Sequence, residues 1–271
     1  MVGLKNVFMC LLFYSMVMLP STHWLCYTLY MIIAGFQKLT LLDFPGKTAC
    51  TVFTAGCDFA CPFCQNASLI DMDTGFVTEG DVLGFLESRR GLLDGVCFSG
   101  GEPLLQDGLE DFIDSVKGLG FLVKLDTNGS DPVRLRRLIE SGLVDYVAMD
   151  VKNSPEKYAK TIGLPEFDVS PIDESIGFLL SCNGSEYSNF SYEFRTTVVK
   201  EFHTIDDLLS IAQWIAGART QISGNVSYFL QKFIDSDNVM QKGLHSYSDA
   251  EMQQFLYEVI KVLPTAELRG V

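Results

Sequence analysis

Positive charge is scarce in this chain. Its 271 residues carry 20 Lys and Arg against 34 Asp and Glu, for a net charge of −14, with only 3 His and 2 Trp. So few cations build no phosphate-binding field, which argues against nucleic acid as the main partner. Eight cysteines are too few for a disulfide scaffold at this length, so their placement matters more than their number. Low-complexity tracts and internal repeats are missing as well. What is plentiful is apolar surface: at 48% hydrophobic and 12% aromatic the chain can bury a sizeable core, which excludes wholesale disorder. The length suits one larger domain, or at most two small ones.

Charge is absent above all from the start of the chain. Between Met1 and Ala34 the only charged residue is Lys5. An apolar run from Val7 to Leu19 is closed by Pro20, and a second runs from Trp24 to Ile33. Neither reaches the roughly 20 residues that a membrane helix needs, and Pro20 separates them. A secretory signal would want a small-residue cleavage site, which Leu25-Cys26-Tyr27 does not offer. A membrane anchor would want a Lys/Arg cluster to set its orientation. The reading we favour is translation starting at Met31. Residues 1–34 are accordingly expected to form an apolar leader outside the fold, and 35–271 a single domain.

From Gly35 onward short β-rich runs alternate with longer helical stretches. Strands are expected at Thr48–Thr54, Gly95–Phe98, Leu122–Leu125, Tyr146–Asp150, Tyr192–Val199 and Val226–Leu230. Helices are expected near Glu79–Arg90, Leu109–Leu119, Pro132–Ser141, Asp173–Leu180, Thr204–Ala216 and Ser248–Val262. Strict alternation implies parallel strands joined by right-handed crossovers. Six strand–helix units fall short of the usual eight, so the expected fold is an α/β, partial and open (β/α)6 barrel. Four expected strands end in polar or glycine-rich tips, at Gly56-Cys57, Ser99-Gly100-Gly101-Glu102, Asp126-Thr127-Asn128-Gly129 and Asp150-Val151-Lys152. In a parallel barrel such tips converge on one mouth.

Cys57, Cys61 and Cys64 place three thiols within eight residues, straight after a strand. One loop can thereby wrap a single metal centre, with no fourth cysteine at a matching interval. Three ligands leave a position open, as in catalytic zinc or in a [4Fe–4S] cluster whose fourth iron lacks a cysteine. A zinc knuckle, or thiols sharing a loop for packing, would be the plainer reading. Zinc sites usually show paired C-x2-C units or a downstream His, and the nearest His after Cys64 is His203. Cys50 and Cys97, among apolar neighbours, are expected in the core.

Those three cysteines, with Phe63 before the last, resemble the signature of the radical S-adenosylmethionine superfamily. The wider stretch from Gly35 through Asn66 is similar to the activating proteins of anaerobic ribonucleoside-triphosphate reductase, a branch of the glycyl-radical-enzyme activases. The likeness continues through Ser99–Leu104, Leu125–Gly129, Met149–Lys152 and Arg195–Val199. It implies one [4Fe–4S] cluster on Cys57, Cys61 and Cys64, whose fourth iron is chelated by the amino and carboxylate groups of S-adenosylmethionine. It implies that Gly100 and Gly101 bring backbone to the methionyl end and that Glu102 accepts from its ammonium group. Phe63 would flank the adenine, Asp126 and Lys152 would meet the ribose and carboxylate region, and Arg195 would be a further anchor. In isolation, Asp150 and Lys152 would be read as a salt bridge on one strand face.

The same resemblance implies a cytoplasmic enzyme with membrane association not expected. Flavodoxin or ferredoxin would supply an electron, and reductive cleavage of S-adenosylmethionine to a 5′-deoxyadenosyl radical would serve hydrogen abstraction from a glycine of a partner enzyme, anaerobic ribonucleotide reductase before a formate-lyase-type enzyme. A radical enzyme acting on a small molecule, similar to the deazaguanine-forming synthases, is the first rival, and a non-catalytic iron–sulfur or zinc module the second. Gln65 departs from the family pattern, which commonly has His after the third cysteine; it can hydrogen-bond but cannot carry a proton. His203 is expected in a solvated loop and Trp214 in helix packing.

Overall fold

The computed structural model describes residues 31–70, 75–182, 187–217 and 226–271. The leader expected at residues 1–30 lies outside them. Eight strands form one sheet in chain order: β1 (Ile33–Thr40), β2 (Ala49–Thr54), β3 (Gly95–Gly100), β4 (Leu122–Thr127), β5 (Tyr146–Asp150), β6 (Ser191–Val198), β7 (Ser227–Lys232) and β8 (Ala266–Arg269). Pairs from β2 to β8 are all parallel. The connecting helices are α1 (Glu79–Glu87), α2 (Leu109–Gly118), α3 (Pro132–Glu140), α4 (Pro155–Thr161), α5 (Ser170–Ser181), α6 (Ile205–Gly217) and α7 (Asp249–Val259). Because β1 and β8 end the sheet without pairing among the described residues, the barrel is open, as expected for a partial (β/α)6 fold.

Local chemistry explains the elements that the sequence marks clearly. Helix α1 starts in a capping box, where Thr78 Oγ1 accepts from the Asp81 amide and Asp81 accepts from the Thr78 amide. Ser248 and Glu251 do the same for α7. Asp131 caps α3, Pro132 fills its first turn, and Leu135, Leu138 and Ile139 form the buried stripe. The central strands are almost continuously buried, with Val96, Cys97 and Phe98 of β3 wholly enclosed, as befits parallel strands covered on both faces. Cys50 and Cys97 sit in that core.

Two strands, β1 and β8, lie beyond the six expected, and the first departs from strictly parallel pairing. Strand β1 pairs antiparallel with β2. It begins two residues before the Gly35 boundary: Ile33 and Ala34 are buried, and the Met31 and Ile32 amides donate to Glu79 Oε1 and Gln106 Oε1, both at 3.0 Å. Register shifts near both of its ends break its alternation, so no clean two-residue period marks it. Strand β8 has four residues, with Glu267 exposed, too few and too charged to signal a strand.

What holds β8 lies inside the barrel. Glu193 of β6 is fully buried. It accepts two parallel bonds from Arg269, at 2.6 and 2.7 Å, and one from the Tyr146 hydroxyl at 2.7 Å. Arg269 also covers the Phe229 ring of β7 at 3.5 Å. Bidentate geometry is the strong form of this pair. Among the described residues no helix is long and apolar enough to cross a membrane. Replacing Arg269 with Met leaves Glu193 buried without its cation. Since Arg269 is a third exposed, the expected loss is up to about 3 kcal/mol, the low end for a broken buried pair. A lowered urea midpoint would register it, and the double variant with Glu193→Gln should recover most of the loss.

Candidate functional site

The tips of β2 to β6 meet at one cavity of about 230 Å³. Cys57, Cys61, Phe63 and Cys64 line one side of it, Gly100, Gly101 and Glu102 another, and Asp126, Asp150, Lys152 and Arg195 the floor. All ten residues that the resemblance assigns to the cluster or its cofactor therefore line the same cavity. Parallel register does much of this work. Thr54 pairs with Gly100, Thr127 with Met149, and Asp150 with Arg195 across adjacent strands.

The cysteine loop is clasped from two sides. On one side the Ala60 amide donates to the Ile162 carbonyl at the end of α4, at 2.9 Å. Gly163 follows with φ +75°, and a Cβ there would stand 2.6 Å from the Ala60 oxygen. On the other side the Met240 amide donates to Cys64 O at 3.1 Å and the Gln241 amide to Pro62 O at 2.8 Å. Gln65 Nε2 adds a bond of 2.9 Å to Ile234 O, so the residue that departs from the family pattern ties the loop to the segment after β7. Burial pushes the Cys57 thiol up to about 12 and the Cys61 thiol up to about 11. Among the described residues no three His, Cys, Asp or Glu side chains converge on a single-ion site. Three thiols lining one cavity, with no histidine among its lining residues, suit the donor set of an iron–sulfur cluster. A bound cationic metal centre would draw off the protons that burial holds on the sulfurs.

The glycines have a sharper reason than access for a ligand. A Cβ on Gly100, at φ +116°, would stand 2.4 Å from the Thr54 amide nitrogen, and one on Gly101 would stand 1.8 Å from the Gly56 oxygen. The Gly101 and Glu102 amides instead donate to Thr54 O and Gly56 O at 2.9 and 2.8 Å. The glycines thus lock the β3 tip onto the strand that launches the cysteine loop, and leave that stretch of backbone bare to the cavity.

Glu102 is held by three donors: the Leu104 amide at 3.1 Å, Thr127 Oγ1 at 2.8 Å and the Asn128 amide at 2.7 Å. Among the described residues Oε2 has the Asn128 amide as its one donor, which leaves it a lone-pair position open. Burial outweighs these donors and pushes its carboxyl up to about 7. Opposite it lies a tight ionic set. Arg195 Nε donates to Asp150 at 2.8 Å, its guanidinium reaches Asp126 at 3.4 Å, and Lys152 Nζ meets Asp150 at 3.0 Å. Lys124, buried beneath, bonds Asp126. Burial opposes charge at both aspartates, but their cationic partners win and hold Asp126 and Asp150 below the usual carboxylate range. Three cations face two carboxylates here, which suits a ligand bringing a carboxylate of its own.

His203 corrects the sequence reading. It is buried, not solvated. Its Nδ1 accepts from the Val199 amide at 3.1 Å, which puts the proton on Nε2, 2.8 Å from the Lys152 carbonyl. Desolvation holds its pKa below the ordinary histidine value. Its ring lies 6.0 Å from that of Phe63, so it joins the cysteine loop to the β5 tip. Only its place just past an expected strand end hinted at this. Asn128, to which the sequence assigns no role, donates from its side chain to Asp58 at 2.8 Å, beside Cys57. Trp214 packs edge-on against Tyr158 at 6.1 Å and donates to Asp173 at 2.7 Å.

The model of the radical SAM superfamily matches residues 51–188. A candidate glycyl-radical enzyme activating enzyme of Methanocaldococcus jannaschii is 30% identical over 185 residues, 68% of this chain and 75% of that protein. The 7-carboxy-7-deazaguanine synthase of Clostridium acetobutylicum is 30% identical over 122 residues, 43% of this chain and 53% of that protein. The anaerobic ribonucleoside-triphosphate reductase-activating protein of Escherichia coli is 29% identical over 86 residues, 30% of this chain and 55% of that protein. Among solved structures, Streptococcus suis SuiB bound to S-adenosylmethionine shares the fold, with a TM-score of 0.59 at 11% identity over 79% of this chain, which spans about half (48%) of its length. With all three loop cysteines inside the matched segment, the chain belongs to the radical S-adenosylmethionine superfamily, enzymes whose cofactors are a [4Fe–4S] cluster and S-adenosylmethionine.

Proposed function

We propose that this enzyme is a glycyl-radical-enzyme activase whose partner is an anaerobic ribonucleoside-triphosphate reductase. The observation that carries the reading is a cavity that brings three loop thiols together with a buried acid and a cation-rich floor. Cys57, Cys61 and Cys64 would hold the cluster. When bound, the cluster and S-adenosylmethionine supply one-electron reductive cleavage and the power to take a hydrogen atom from carbon.

The chain's own residues bind, orient and exclude water. Glu102 offers its open lone pair to the ammonium group of S-adenosylmethionine, and the bare backbone at Gly100 and Gly101 leaves room for the methionyl chain. Lys152 and Arg195 turn their unbalanced positive charge to the carboxylate, while Asp126 stands at the ribose. Phe63, fixed against Phe202 at 5.5 Å, flanks the adenine, and Phe59 and Ile70 complete a partly apolar wall that restricts water.

Two features favour a protein glycine as the hydrogen donor. The resemblance to an activating enzyme extends over 185 residues, against 122 for the deazaguanine synthase. The barrel is also open between β1 and β8, on the side where a peptide loop could enter. The second reading, a small-molecule radical enzyme, draws on that synthase's equal 30% identity. Six free thiols among the described residues accord with a reducing cytoplasm, where flavodoxin or ferredoxin would deliver the electron.

The deciding experiment mixes anaerobically reconstituted protein with S-adenosylmethionine, a reductant and the anaerobic reductase of the same source. A glycyl doublet in the electron paramagnetic resonance spectrum, requiring every component, is expected. Free 5′-deoxyadenosine without the doublet would move the assignment to the small-molecule reading. Neither product from a fully loaded cluster would remove the cofactor assignment.

Glu102→Gln should keep its iron and sulfide but bind S-adenosylmethionine about tenfold more weakly, a loss of about 1.4 kcal/mol. The carboxyl, raised to about 7, is mostly protonated at pH 6 and mostly ionised at pH 7.5. Only the ionised form attracts the ammonium, so wild-type affinity should rise severalfold across that interval. Equilibrium binding at both pH values tests this, and the Gln variant should show a flat response.

A further inference from the structure

Helix α4 carries a side chain with no role in the cofactor contacts described above. Tyr158 is completely buried. Its ring lies edge-on to Phe59 at 6.4 Å and to Trp214 at 6.1 Å, and stacks on Phe167 at 6.2 Å. Phe59 belongs to the cysteine loop, and the end of α4 grips the next residue through the bond between the Ala60 amide and Ile162 O at 2.9 Å. The phenol and the segment Phe59–Cys61 are therefore held as one unit.

Against that close packing, the Tyr158 hydroxyl has no hydrogen-bond partner among the described residues. Buried hydroxyls rarely go unpaired without a reason, such as a group that arrives later. Lys152, Cys61 and Asp150 are near enough to act electrostatically on this oxygen, and all three line the cavity. The Lys152 backbone amide also acts on this oxygen, but as a donor it leaves the phenolic proton free. Burial holds the phenol neutral, well above the ordinary tyrosine range, so it keeps a proton to donate. A neutral thiol is a weak acceptor, whereas an iron-bound thiolate is a strong one.

We infer that Tyr158 donates a hydrogen bond to the Cys61 sulfur once the loop carries its iron–sulfur cluster, and so makes that cluster easier to reduce. The inference rests on the cluster assignment above. Its physics is that a donor to a ligating sulfur favours the more negative, reduced state, one of the ways a protein sets a cluster's potential.

Tyr158→Phe removes one oxygen and keeps the ring. Full-length wild type and variant would be reconstituted anaerobically, assayed for iron and sulfide, and titrated with electron paramagnetic resonance following the reduced cluster. At a fixed solution potential the ratio of reduced to oxidised cluster should fall about tenfold in the variant, a midpoint about 59 mV more negative for a one-electron couple. An unchanged midpoint at equal iron content overturns the inference while leaving the cluster assignment standing. Wild type that takes up no cluster overturns both. If only the variant fails to load, thermal unfolding of the metal-free proteins decides. An idle hydroxyl predicts a variant at least as stable as wild type, and a clear loss of stability would mean that the oxygen already has a partner.

Discussion

The structure depends on neutralising charge inside a parallel barrel. Asp126, Asp150, Lys152 and Arg195 rise from strand tips into one enclosed space, with Lys124 beneath them. Buried carboxylates without partners would be too costly to keep ionised. Here each has a cation within bonding distance, and Arg195 bridges both. That bridge joins β4, β5 and β6 from within, as Glu193 and Arg269 join β6 to β8 further down. Charge pairing is thus part of what fixes the strand order and, with it, the convergence of the tips.

The cysteine loop depends on that frame, because it carries no regular structure of its own. Its backbone is satisfied by neighbours: Ile162 at the end of α4, and Met240 and Gln241 beyond β7. The β3 glycines fix the root of the loop by passing within contact of Thr54 and Gly56. Loss of a Cβ-free position there would displace the strand before it displaced any ligand. Gln65 belongs to the same bracing, since its amide is used against Ile234. A neutral amide donor suffices for that task.

Much of this was legible in the sequence because the informative signals were local. The six central strands, the capped helices and the four polar tips each announce themselves within a few residues. The three cysteines do so within eight. What stayed hidden depends on contacts across long stretches of chain. His203 reads as a loop residue until its partner, the Lys152 carbonyl, is placed beside it from 51 residues away. Strand β8 is anchored by Glu193, 76 residues earlier. Helix α4 has seven residues, too short for a periodic stripe, so Tyr158 could not be seen as facing the loop. Gly100 and Gly101 were noticed for a ligand's sake, whereas their first constraint is the neighbouring backbone. No local pattern reports such a clash.

Several features of the site are costs to the protein's own residues. Two thiols are desolvated, a buried carboxyl is held near neutrality against three donors, and cations outnumber carboxylates on the floor. These are states that a scaffold tolerates only when surrounding packing over-determines them. The surroundings do so here, through aromatic contacts at Phe59, Phe63, Tyr158 and Phe202 and through backbone bonds on both sides of the loop. Each cost has the sign that bound cofactors would reverse: iron would take thiolates, an ammonium would favour ionised Glu102, and a carboxylate would balance the cations. Binding energy need not then be spent on arranging the site, because the folding of the barrel has already arranged it.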